Sequence, residues 1–181
     1  ALTFQLEGDK QLAETYFLKA TSLAPQSAMM HNNFGAFLYA NKRYVEACQE
    51  LARATEDPFY HQRSQAFENL GRCYLNLERM DAAKHAFQRA LQVSANRPVS
   101  LVELSDILLQ ENNLIEAEKY FSRFLKFVED RRVQHSAKSL WVGIRVARLN
   151  GNTTRAATYA LILKNLHPDS QEYREYEESA R

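Results

Sequence analysis

Five histidines (31, 61, 85, 135 and 167), two cysteines (Cys48 and Cys73) and carboxylate pairs such as Glu116/Glu118 and Glu177/Glu178 are the side chains best suited to chemistry in this 181-residue chain. A metal centre needs such ligands at short, fixed spacings, and a hydrolase needs a nucleophile presented beside a base. The histidines are dispersed, and none has a second histidine or cysteine at helical spacing. HExxH, CxxC, GxSxG, GxGxxG and Walker-type loops are all absent. His85, within Lys84-His85-Ala86, reads as a solvated helix residue, and the paired glutamates lie on polar helix faces. Trp141, with 9 tyrosines and 10 phenylalanines, could build a platform for stacking bases, but aromatics at helix-seam spacing are core. A formal net charge of +1 supplies no funnel for phosphates. The sequence therefore predicts no catalytic residues, no metal, no cofactor and no nucleic-acid partner. The work left to it is binding.

The elements that must position a binding site are helices. Gly (5) and Pro (4) are scarce, which argues against the many turns of a sandwich or barrel. Apolar residues at 45% and charged residues at 25% exclude bulk disorder. The longest charge-free stretch, Ala20 to Asn41, contains Pro25, Gln26, His31, Asn32 and Asn33, groups too costly for a membrane span. The opening residues, ALTFQLEGDKQLAE, hold no basic region and no small-residue cleavage site, so any secretory address would lie outside them.

A pattern small–x₃–large–x₂–small recurs as Ala13–Phe17–Ala20, Ala47–Leu51–Ala54, Ala83–Phe87–Ala90 and Ala117–Phe121–Phe124, with a looser Ala156–Ala160–Leu163. The leading alanines are 34, 36, 34 and 39 residues apart. Twelve residues upstream of three of them sits an apolar–small pair: Phe34-Gly35, Leu70-Gly71 and Leu104-Ser105; Val142-Gly143 serves the last copy. This resembles the tetratricopeptide repeat, whose signature places Leu-Gly, Tyr, Ala, Phe, Ala and Pro in that order with a similar period. The physical basis is independent of the name. Antiparallel helices approach closely only where side chains are small, so Gly71 is expected to face Ala83, with Leu70, Tyr74 and Phe87 filling the seam. One hairpin cannot bury its own apolar face, so neighbours stack. The expected fold is all-α: a right-handed superhelix of antiparallel helix hairpins.

The expected organisation is a single array over residues 1–181. Residues 1–24 read as a first hairpin whose leading helix is only a stub before Gly8. Full hairpins follow at 28–57, 61–94, 98–129 and 135–167, and residues 169–181 form a polar capping helix. Turns are expected at Asn41-Lys42, Glu78-Arg79, Asn112-Asn113 and Gly151-Asn152. Stacking sets Cys48, on the second helix of one hairpin, beside Cys73, on the first helix of the next. Two readings stand for this pair: two small buried hydrophobes, or a staple between hairpins formed in an oxidising compartment.

Repeat superhelices bind along the groove lined by the first helix of each hairpin. Side chains two positions before the small residue are expected to point into it: Asn33, Asn69, Glu103 and Trp141. Asn32, Tyr39, Glu68, Arg72 and Asp106 neighbour them. A recurring asparagine suits an extended peptide, because its amide both donates to and accepts from a backbone. The Lys/Arg cluster that clamps a terminal carboxylate in some co-chaperones is missing at these positions.

"NNFGAFLYANKRYVEACQELARATEDPFYHQRSQAFENLG" (Asn32 to Gly71), "LVELSDILL" (Leu101 to Leu109), "LWVGIRVARLNGN" (Leu140 to Asn152) and "NLHPDSQEY" (Asn165 to Tyr173) resemble a narrower group, the PilF/PilW type IV pilus biogenesis proteins. The resemblance implies a pilotin: a lipoprotein on the periplasmic face of the outer membrane that helps the secretin subunit reach that membrane and assemble. It implies protein binding without catalysis or cofactor, with the secretin as partner and a lipid anchor as the membrane link. The residues here carry no lipidation cysteine at their start. Asn32, Asn33, Gly35, Phe37, Leu38 and Tyr39 match one family block, and Phe67, Glu68, Asn69, Leu70 and Gly71 another. Helix packing alone demands Gly35, Leu70 and Gly71. It makes no such demand on Asn32, Asn33, Tyr39, Glu68 and Asn69, which are therefore the expected ligand contacts. Two other readings remain: a tetratricopeptide adaptor in another complex, and the regulatory region of a larger enzyme.

Overall fold

The structure, a computed structural model, describes residues 10–179. Among these, ten helices follow one another: α1 (Lys10–Leu23), α2 (Ala28–Ala40), α3 (Tyr44–Ala54), α4 (Arg63–Asn76), α5 (Met80–Val93), α6 (Pro98–Gln110), α7 (Leu114–Glu129), α8 (Ala137–Leu149), α9 (Thr153–Leu166) and α10 (Gln171–Ser179). The described residues contain no strand. The fold is all-α, built of tetratricopeptide-type hairpins: α2–α3, α4–α5, α6–α7 and α8–α9. The chain divides into two compact units between Arg97 and Pro98. The stub expected over Leu2–Leu6 lies outside the described residues.

Each hairpin turns on a residue with left-handed backbone: Lys42, Glu78, Asn112 or Gly151, with φ of 61°, 55°, 58° and 70°. The geometry explains why. After α2, the amide of Lys42 donates to the Tyr39 carbonyl (2.9 Å) and that of Arg43 to the Leu38 carbonyl (3.0 Å), which satisfies carbonyls the helix leaves open. The equivalent long-reach bonds run from Arg79 to Tyr74 (2.9 Å), Asn113 to Leu108 (2.8 Å) and Asn152 to Ala147 (2.8 Å). Only one of these four positions is glycine. Lys42 and Glu78 accept the steric cost, on the order of 1–2 kcal/mol, because the closed turn carries the next helix back across the first. The new helices are capped where the sequence allows it: Asn113 accepts from the Glu116 amide and Asn152 from the Arg155 amide.

The small positions are where helices touch. A Cβ on Gly35 would lie 2.6 Å from Cγ of Leu51, and one on Gly143 would lie 2.9 Å from the rings of both Phe121 and Tyr159. At Gly71 the nearest atoms belong to the Phe87 ring, at 2.7–2.8 Å, and not to Ala83. The space beside Gly71 is thus closed by Phe87, one of the large residues expected to fill this seam. The large residue one turn beyond the alanine lies over the glycine, and Ala83 is itself fully buried in the same hairpin. In the third hairpin Ser105 replaces glycine. Fully buried, its hydroxyl donates to the Ala117 carbonyl across the seam (2.9 Å). The other repeat positions, Ala47, Leu70, Ala90, Ala117 and Ala156, are all buried.

Gly71→Val follows as a test of this seam. Phe87 is wholly buried, so the added branches must push its packed ring and the neighbours behind it aside. The expected loss is about 3 kcal/mol, the upper part of the usual overpacking range. Urea and thermal melts would read it. An unchanged melt would place some other residue over Gly71.

The cysteines meet across the junction between hairpins. Cys48 on α3 and Cys73 on α4 are both buried, and the structure pairs them as a disulfide with Cα atoms 5.7 Å apart. That separation lies at the middle of the range a disulfide spans.

Candidate partner-binding site

Helical periodicity places Gln65, Asn69, Arg72 and Asn76 along one face of α4, and that face looks toward α2. Asn69 donates to the side-chain oxygen of Asn32 (3.2 Å) and accepts from Gln65 (3.0 Å). One turn on, the Arg72 guanidinium sits 5.8 Å from the centre of the Tyr39 ring. At the far end Asn76 donates to the Tyr39 hydroxyl (2.8 Å). Between these groups a cavity of about 160 Å³ opens, lined by Ala36, Tyr39, Leu51, Asn69 and Arg72. Asn33 is half-buried beside them. The face therefore offers amides, one exposed cation and a small apolar recess.

Not every residue expected on this face is available there. Asn32 and Glu68, three positions before Gly35 and Gly71, are 6% and 5% exposed. At that helical phase the side chain points at a neighbouring element, so its polar atoms are used inside the protein. Asn32 accepts from Asn69, and Glu68 is held by Arg97, which also donates to Gln65 (2.5 Å). Packing does make a demand at these two positions. Asn69 is correspondingly half-buried and bonded rather than fully solvated.

The second unit repeats the lesson. Asp106 on α6 is 4% exposed and receives three donors: Lys138 (2.5 Å), Arg145 and Gln110 (3.2 Å). Burial acts to lower the Lys138 pKa, but Asp106, Glu103 and Glu172 outweigh it, so the ammonium titrates above its ordinary range. Trp141 is 8% exposed, with Arg145 stacked 5.8 Å from its ring and Tyr176 of α10 edge-on at 6.4 Å. Asp106 and Trp141 are thus occupied within their own unit, while Glu103 stays half-buried. The residues missed by sequence reasoning are the partners: Gln65, Asn76, Arg97, Lys138 and Arg145. One signal pointed to them. A carboxylate on an apolar helix face, as at Asp106 in SLVELSDILL, cannot be buried without a cation.

His31 is buried between the Glu50 carboxylate (2.6 Å from Nδ1) and the Pro25 carbonyl (2.9 Å from Nε2). Among the described residues no group of three His, Cys, Asp or Glu side chains could hold a metal ion. The arrangement's chemistry is hydrogen bonding, charge and apolar contact.

The chain has similar relatives among known proteins. Tetratricopeptide-repeat profiles match residues 4–61 and 64–97. The chain is 37% identical over 177 residues to the type IV pilus assembly protein PilF of Pseudomonas aeruginosa, covering 98% of this chain and 68% of that protein. The solved structure of Pseudomonas aeruginosa PilF superposes with a TM-score of 0.88 at 36% identity, covering 98% of this chain and 78% of that one. PilW, described as a widely conserved type IV pilus biogenesis factor, superposes with a TM-score of 0.73 at 27% identity, covering 96% and 77%.

Proposed function

We infer the function from one premise: this chain belongs to the PilF family of tetratricopeptide-repeat proteins of type IV pilus assembly. It works as a pilotin, a non-enzymatic scaffold on the periplasmic side of the outer membrane that escorts the secretin subunit and promotes assembly of its ring. The observation that carries this reading is the 37% identity sustained over 98% of the chain. The amide-bearing face of α2 and α4 supports it, because Asn33 and Asn69 can hold an extended backbone. Cys48 and Cys73, paired across hairpins, agree with an oxidising compartment.

Deleting the full-length gene in a piliated host tests the reading. Secretin multimers are expected to vanish from the outer-membrane fraction and return on complementation. Unchanged multimers would overturn the pilotin role. At the level of the face, Asn33→Ala with Asn69→Ala is expected to weaken binding of secretin fragments about tenfold, the equivalent of 1.4 kcal/mol. The pair is not neutral for stability. Losing Asn69 leaves the buried Asn32 oxygen without its donor, which costs about 1–2 kcal/mol. Calorimetry well below the melting point, with circular dichroism on the same samples, separates the two effects.

A further inference from the structure

We propose that the recess between α2 and α4 is a specificity pocket for one apolar side chain flanked by an acidic residue, carried on an extended segment of the partner. The proposal rests on the reading of this face as the partner-binding one and names what that face selects.

The pocket's dimensions set the first half. At about 160 Å³ it matches the volume of an apolar cavity, about 150 Å³, that takes up one benzene ring. Leu51 forms a wholly buried floor, Ala36 leaves the entrance open, and the Tyr39 ring makes one wall. A phenylalanine or leucine side chain fills that space, and an aromatic one gains edge or offset contact with Tyr39. A charged side chain would lose its hydration against Leu51.

Charge sets the second half. Arg72 is exposed at the rim, held over Tyr39, and forms no ion pair among the described residues. Arg43 and Arg97, in the same unit, each hold a carboxylate. An arginine pre-positioned on an aromatic face is ready for a carboxylate that the protein does not itself supply. Asn69 completes the geometry. Its amide uses one donor toward Asn32 and one lone pair toward Gln65, so a second N–H and a second lone pair remain for a peptide backbone.

Isotope-labelled protein titrated with the capped peptides Gly-Asp-Phe-Gly, Gly-Lys-Phe-Gly and Gly-Asp-Ala-Gly tests this by NMR. The Asp-Phe peptide is expected to shift the resonances of Ala36, Tyr39, Asn69 and Arg72 and to bind at least about tenfold tighter than the other two, a difference of 1.4 kcal/mol. Arg72→Glu should reverse the Asp/Lys preference, and Ala36→Phe, at an exposed position, should fill the pocket and abolish binding while the spectrum stays folded. Equal affinity for all three peptides, shifts confined to another surface, or an unchanged ranking in Arg72→Glu would overturn the proposal. Its failure is distinguishable from that of the pilotin reading. Secretin fragments that respond to Asn33→Ala but ignore Arg72→Glu and Ala36→Phe overturn only the pocket, and intact secretin multimers in the deletion strain overturn only the pilotin role.

Discussion

Reducing the disulfide between Cys48 and Cys73 is expected to lower the unfolding free energy by about 3 kcal/mol, because the bond closes a loop whose ends are 25 residues apart in sequence. The loop runs from α3 through the Asp57-Pro58 junction into α4, so the bond ties one hairpin to the next where the repeat architecture relies on stacking alone. Cys48 is 5% exposed and Cys73 fully buried, so the sulfurs should resist mild reductant in the native state and yield once the hairpins separate. Protein recovered from an oxidising compartment should show no thiol to a labelling reagent, and its denaturation midpoint should fall after unfolding and refolding in reductant. Cys48→Ala with Cys73→Ala should lose a comparable amount and become insensitive to reductant. Two free thiols in native, unreduced protein would sink the idea, leaving the pair as small buried hydrophobes.

The fold was legible in the sequence because its tightest contacts forbid alternatives. Where Gly35, Gly71 and Gly143 pass under Leu51, Phe87 and Tyr159, a Cβ has no room, so small residues recur at the repeat period. Ser105 shows the limit of that constraint, tolerated because its hydroxyl finds the Ala117 carbonyl. The turns were legible as gaps between periodic segments, though Lys42 and Glu78 announce no left-handed backbone by type. The face was harder to read. Asn32 and Asn33 are adjacent and of one type, yet a rotation of about 100° about the helix axis makes one a buried acceptor and leaves the other half-open. The partners that hold Glu68 and Asp106 lie 29, 32 and 39 residues away, a pairing that no local pattern encodes. Trp141 reads as a groove aromatic until Arg145 and Tyr176 are set against it.

Asp106 carries the second large expectation. Asp106→Ala should destabilise the unit of residues 98–179 by about 3 kcal/mol, since it removes the common acceptor of Lys138 and Arg145 and leaves two cations facing each other. The figure sits at the low end for a broken buried pair because the Lys138 and Arg145 side chains keep 35% and 23% of their exposure to water. Lys138→Met should cost less, because Arg145 and Gln110 still satisfy the carboxylate. The pH dependence follows from the direction of the Lys138 shift. Its folded pKa is raised above 10.5, so its contribution is fully present below that value and is lost as pH rises through the folded pKa. In Asp106→Asn, burial acts on the ammonium with less opposition, so the folded pKa falls back and the alkaline loss should shrink or disappear. Urea melts from about pH 9 to 12 on the wild type, Asp106→Asn and Lys138→Met would show it. Lys138→Met should lack this alkaline step altogether. If all three proteins lose stability along the same curve, Asp106 is not what keeps Lys138 charged.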